Sequence, residues 1–161
     1  MNASQDYAVQ DSALDDTVEY VTATVGGQMF GLPIARVQDV FVLERLTRVP
    51  LAPVEIAGLL NLRGRIVTVI DMRLRLGLPA RADAGERMAI GIERGPESYG
   101  LLIDSIGEVL KLQAAGRMDN PVNLEPRLAR VAGGVHRLDE CLLVVLDVDR
   151  VLDIAPLAEA A

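Results

Sequence analysis

The chain has no tryptophan, one cysteine, one histidine and only 3% aromatic residues. A lone cysteine, Cys141, excludes an intramolecular disulfide and a thiolate zinc cluster. The lone histidine, His136, sits in the segment Gly133 to Arg137 with no serine beside it, which disfavours a histidine-activated nucleophile. Long apolar runs are missing too. The longest is Cys141 to Leu146, whereas a membrane helix needs about 20 residues. The opening MNASQDYAVQDSALDD has neither the basic nor the apolar region of a signal peptide. Basic charge is in deficit: 16 Lys and Arg against 23 Asp and Glu give a net charge of −7. Such a surface is a poor match for nucleic-acid phosphates or anionic lipid. Neither Gly-x-Gly-x-x-Gly nor a P-loop is present, so no phosphate cradle is visible. A cytoplasmic protein with no metal and no cofactor is expected.

What is present is aliphatic. Apolar residues make up 50% of the chain, so Val, Leu and Ile carry the packing. Residues 1–17 are polar, acidic and aperiodic, and read as a disordered N-terminal tail. Short β-branched runs follow at Val18 to Val25, Met29 to Ile34 and Val37 to Leu43, with Gly26-Gly27 as a hairpin turn. Pro53 to Arg63 reads as a helix, with Pro and Glu55 at its start and Gly64 closing it. Ile66 to Ile70 reads as a strand, and Asp71 as the cap of a helical turn at Met72 to Leu76. Further strands are expected at Met88 to Glu93, Tyr99 to Ile103, Glu108 to Leu112 and Cys141 to Leu146. A loop is expected from Ala114 to Pro126, and a closing helical turn at Asp147 to Asp153. Many short strands and few helices make the fold mostly β, with barrel closure as the way to hide edges.

The chain repeats itself. Phe30 to Val40 aligns without a gap to Tyr99 to Val109, an offset of 69 (99 − 30) that matches aromatic, glycine, leucine, isoleucine, acidic and valine positions. Ile66 to Asp71 mirrors Leu142 to Asp147 at an offset of 76 (142 − 66). Two similar β units explain both matches.

Reactive groups are few. His136 reads as an exposed loop residue and Cys141 as a buried, inert thiol. Asp71, Asp104 and Asp147 each follow an apolar run and read as caps of the turns after them. A small β-barrel enzyme would need those three carboxylates to converge in one cleft, and a ligand-binding module would need an enclosed pocket. Arg63, in Asn61-Leu62-Arg63-Gly64, either complements a helix end or offers a guanidinium to a partner carboxylate.

Those residues carry a resemblance. Phe30-Gly31-Leu32-Pro33-Ile34 followed by Val37-Gln38-Asp39-Val40 resembles the YGI…VQEI segment of the CheW family. Thr47-Arg48-Val49-Pro50, then Pro53 through Gly64 with its NLRG ending, resemble that family's most distinctive stretch. Ile66 to Leu74, Tyr99 to Asp104 and Glu108 to Leu110 resemble further family segments, so the likeness spans about residues 18–154. Pro33 departs from it, standing where many members have Asp, and Gln113 to Arg130 matches poorly.

The resemblance implies two intertwined five-stranded, SH3-like β-barrels sharing a hydrophobic core. Residues 18–154 would form the domain, with a first barrel at about 18–80 and a second at about 86–154 whose end packs back on the first. Residues 155–161 would be a flexible tail. It implies a non-catalytic adaptor that couples methyl-accepting chemoreceptors to the histidine kinase CheA, recruited to receptor arrays at the inner face of the membrane. A chemotaxis-like pathway with a non-flagellar output is the alternative. By position, Arg63, Val37, Asp39, Gly58, Ile106 and Val109 would bind the receptor tip. Val37, Ile106 and Val109 would line a groove between the barrels, although core packing explains the same side chains. Phe41, Val42 and Leu43 would face the regulatory domain of the kinase.

Overall fold

The computed structural model describes residues 16–81 and 85–154; the expected C-terminal tail and nearly all of the N-terminal one lie outside them. Alternating aliphatic residues build ten strands. They are β1 (Thr17–Val25), β2 (Gln28–Pro33), β3 (Val37–Leu43), β4 (Ile56–Leu62), β5 (Arg65–Asp71), β6 (Arg87–Arg94), β7 (Glu97–Ile103), β8 (Ser105–Gln113), β9 (Ala132–Arg137) and β10 (Leu142–Leu146). Three single-turn α-helices, α1 (Met72–Arg75), α2 (Pro126–Ala129) and α3 (Val148–Val151), and two 3-10 turns at Ile34–Arg36 and Ala114–Gly116 complete the described elements.

Two five-stranded sheets result, ordered β8-β1-β2-β10-β9 and β3-β6-β7-β5-β4. Each barrel is sealed by an isolated antiparallel bridge, Met118 to Val135 in the first and Thr47 to Leu59 in the second. The barrels do not divide the chain near residues 80–86. Strands β1 and β2 join β8, β9 and β10, while β3, β4 and β5 join β6 and β7. Each half therefore gives part of itself to the other half's barrel.

The repeat survives this exchange at the level of register. In the parallel pair β2·β10, Phe30 lies opposite Val144; in β7·β5, Tyr99 lies opposite Thr68. Asp71 accepts from the amides of Arg73 and Leu74, and Asp147 from those of Asp149 and Arg150, so both cap as expected. The repeat glycines have a common cause. A Cβ on Gly31 would lie 3.0 Å from Leu143, and one on Gly100 would lie 3.1 Å from Phe41.

Each central strand shows one face to its own barrel and the other to a shared core. That core takes Phe30, Leu32, Val144 and Leu146 from one sheet and Ile70, Ile90, Leu101 and Ile103 from the other. Smaller clusters fill the barrels themselves, around Tyr20, Leu143 and Val145 and around Val67, Val69 and Leu102.

Several local expectations are corrected. Residues 56–62 form strand β4, not the end of a helix. His136 is 4% exposed on β9, where Gly134, Val135 and His136 are buried in succession because both faces of the strand are covered. Its Nε2 lies 3.3 Å from the Tyr20 hydroxyl, with the rings edge to face. Cys141 precedes β10 and is exposed. Pro126 starts α2 at the position where its missing N–H costs nothing.

Candidate functional site

The pairing of Leu62 with Arg65 leaves Arg63-Gly64 as a two-residue hairpin turn between β4 and β5. Both residues have positive φ, 55° and 81°, as a type I′ turn requires. Gly64 takes this conformation freely, whereas Arg63 does so at a cost. The amide of Gly64 donates to Asn61 Oδ1 at 3.0 Å, locking the turn. The NLRG signature is therefore a hairpin corner rather than a helix cap.

The corner projects Arg63 outward, with its side chain 79% exposed. Its Nη1 lies 3.7 Å from Asp39 Oδ2. A register shift in β3 between Val37 and Asp39 sets Asp39 opposite Gly91 of β6. A Cβ on Gly91 would collide with the Asp39 carboxylate, so the glycine provides its seat. An exposed pair of this kind is worth about 0–1 kcal/mol, so a partner carboxylate can recruit Arg63 cheaply.

The surrounding depression is edged by Gln38, Phe41, Arg65 and Tyr99. Arg65 pairs with Glu93 at 2.5 Å, and the Tyr99 hydroxyl donates to Glu97 at 2.9 Å. Burial and the Glu97 carboxylate raise the Tyr99 hydroxyl pKa, opposed by Arg94, which lies 5.8 Å from the ring centroid. The corner is thus a ring of complementary charges on a rigid barrel end.

The remaining candidates separate. Gly58 faces inward: a Cβ there would lie 2.6 Å from the Thr47 carbonyl oxygen, within the bridge that seals the barrel. Val37 and Ile106, repeat counterparts, are half-buried against the shared core. Val109 on edge strand β8 is 49% exposed, and its repeat counterpart Val40 on edge strand β3 is exposed as well. Strand alternation also splits the trio on β3. Phe41 and Leu43 pack inside against Val67, Val69 and Leu102, while Val42 points to solvent. The offset of 69 that pairs Val37 with Ile106 also pairs Val40 with Val109, so the repeat alone marks this position.

The three aspartates do not share a cleft. Asp71 caps α1, and Asp147 caps α3 at the equivalent place on the other barrel. Asp104 does not cap. Its carboxylate takes two bonds from Arg73, at 2.9 and 2.8 Å, and one from the Gly26 amide at 2.8 Å. Those contacts, led by the Arg73 hydrogen bond, hold its pKa below the usual carboxylate value. The clamp ties α1 to the β1–β2 turn across the two barrels. Among the described residues, no group of three or more His, Cys, Asp or Glu side chains is placed to hold a metal, and no helix is long and apolar enough to cross a membrane. A depression among Gly26, Gly27, Leu76, Leu78 and Leu128 opens to solvent rather than enclosing a ligand.

Fold and surface together define a strand-exchanged double β-barrel that presents rigid corners and exposed apolar edge strands. A family model described as "CheW-like domain" matches residues 19–155. The chain belongs to the CheW-like family. It is 27% identical over 134 residues to the chemotaxis protein CheW of Klebsiella aerogenes, covering 83% of this chain and 81% of that one. It is 24% identical over 151 residues to the chemotaxis protein CheW of Treponema pallidum, covering 91% and 89%. Among solved structures it resembles the scaffolding protein TtCheW of Thermoanaerobacter tengcongensis. The TM-score is 0.77 at 23% identity, covering 86% of this chain and 94% of that one.

Proposed function

We propose that this protein is a non-catalytic cytoplasmic adaptor that couples methyl-accepting chemoreceptors to a CheA-type histidine kinase in a receptor array. The observation that carries this reading is the Arg63 corner. A costly backbone conformation holds a largely exposed guanidinium on a rigid turn, beside a weakly bound Asp39. Arg63 and Asp39 contact the receptor tip, with Val109 supplying apolar area at the outer edge. Val37 and Ile106 support that surface from the core side. Gly58 acts through the fold, by letting β4 approach Thr47. On the kinase side, Val42 supplies the contact, and Phe41 and Leu43 hold its strand from within.

The test is reconstitution of receptor fragment, kinase and adaptor, with Arg63→Asp in place of the parent. The variant keeps its melting temperature and loses receptor-dependent kinase stimulation by about tenfold, the effect of roughly 1.4 kcal/mol of lost contact. Stimulation equal to the parent's would remove Arg63 from this role. The family also fits a chemotaxis-like pathway with a non-flagellar output, and the cognate receptor's downstream response separates the two.

A further inference from the structure

We propose that two copies of this chain can exchange halves, residues up to 81 of one copy completing both barrels with residues from 85 onward of the other. The strand order carries the inference. Within the first half, β1–β2 and β3–β5 belong to different sheets and share no ladder. The same holds for β6–β7 and β8–β10 in the second half. The joins β1·β8 and β2·β10 link the halves in one sheet, and β3·β6 and β5·β7 link them in the other. The shared core also draws on both, with Phe30, Leu32 and Ile70 from the first half and Leu101, Val144 and Leu146 from the second. Neither half can close a barrel alone.

Every one of these contacts forms equally well with the second half of another molecule. Only the connection from α1 to β6 differs between the two arrangements. Its start is held locally, since the Gly77 amide donates to Leu74 O at 3.0 Å and the Leu78 amide to Arg73 O at 2.8 Å. The balance between the arrangements is therefore set by the effective concentration that this connection imposes, on the order of millimolar for a short tether. Dilute protein is monomeric, and crowding of copies favours exchange.

The exchanged form has a functional consequence beyond the adaptor reading. The Arg63 corner is composite: Asp39 and Arg63 come from the first half, and Gly91 and Tyr99 from the second. In the exchanged dimer each corner would be assembled from two chains, and one particle would carry two corners.

The test uses full-length chains in a Cys141→Ser background, which removes the exposed native thiol. Glu19 and Lys111 are exposed cross-strand partners on β1 and β8, one from each half. One chain carries Glu19→Cys and another carries Lys111→Cys. The two are unfolded, mixed at high concentration, refolded together and oxidised. Exchange yields a mixed disulfide dimer of twice the 17.3 kDa chain mass, in several-fold excess over either like pair and rising with refolding concentration. A chain carrying both substitutions closes its bridge internally and sets the yield for full pairing. Mixed dimers at only twice the frequency of each like pair, the ratio of random collision, would overturn the proposal.

Discussion

Replacing Gly58 with alanine isolates the bridge that seals the second barrel. The added Cβ would lie 2.6 Å from the Thr47 carbonyl oxygen. That contact is relieved only by parting Thr47 from Leu59, whose two mutual backbone bonds are each 2.8 Å long. Each such bond contributes about 0.5–1.5 kcal/mol net. The positive φ of 156° adds about 1–3 kcal/mol for a residue with a side chain. The expected loss is about 2–6 kcal/mol, a large share of the 5–15 kcal/mol typical of a folded domain. At about 2–4 °C per kcal/mol for a chain of this length, the melting temperature falls by at least about 4 °C. Thermal unfolding followed by circular dichroism measures it, with Gly134→Ala as a companion. A Cβ at Gly134 meets the Met118 carbonyl at 2.9 Å in the other barrel's bridge. A Gly58→Ala protein melting within about 2 °C of the parent would refute the steric account. It would return Gly58 to the list of contact residues.

Other outcomes follow from the same geometry. Asp104→Asn removes charge from the clamp on Arg73 and should destabilise the protein by about 1–3 kcal/mol in urea unfolding. Because the folded carboxyl titrates below its usual 3.8, that contribution is present above pH 3.8 and fades as pH falls through the lowered value. Burial, with a smaller contribution from Arg117, holds the pKa of His136 below 6.5, so the unfolded chain binds the extra proton first on acidification. Stability should then fall as pH drops below about 6.5, and His136→Gln should flatten that slope in melting curves taken across the window. The Cys141 thiol should react fully with a thiol reagent in the absence of denaturant, and protection until unfolding would contradict its exposure. Val42→Asp should leave the melting temperature unchanged while weakening kinase binding in a pull-down. Phe41→Asp should unfold the barrel.

The strands legible from the sequence were those whose β-branched runs are bounded by turn residues, such as β1 before Gly26-Gly27. Strand β4 was not, because Pro53, Glu55 and Gly64 flank it as they would flank a helix. What decides against the helix is the antiparallel ladder of residues 56–62 with β5, a pairing between segments that residue type does not announce. Strand β9 was missed because Gly133 and Gly134 look like a turn. The structure uses Gly134 for a close approach to Met118. The repeat revealed two similar units but not their exchange, since register periodicity is blind to which barrel a strand joins. For the candidate site, Arg63 and Asp39 were found by position and meet in space. The group Phe41, Val42 and Leu43 ignored alternation, which places successive side chains on opposite faces.

The strand order also governs when this protein can become itself during synthesis. The second barrel lacks a central strand until β7 has emerged, and the first waits for β10, whose carbonyl at Leu142 binds Gln28 across 114 positions of sequence. Until those strands emerge, the growing chain offers unpaired edges and an unfilled interior, with its ladder partners not yet made. The emergence of β10, which completes the first barrel after every strand of the second has been made, is the event that commits these residues to their fold.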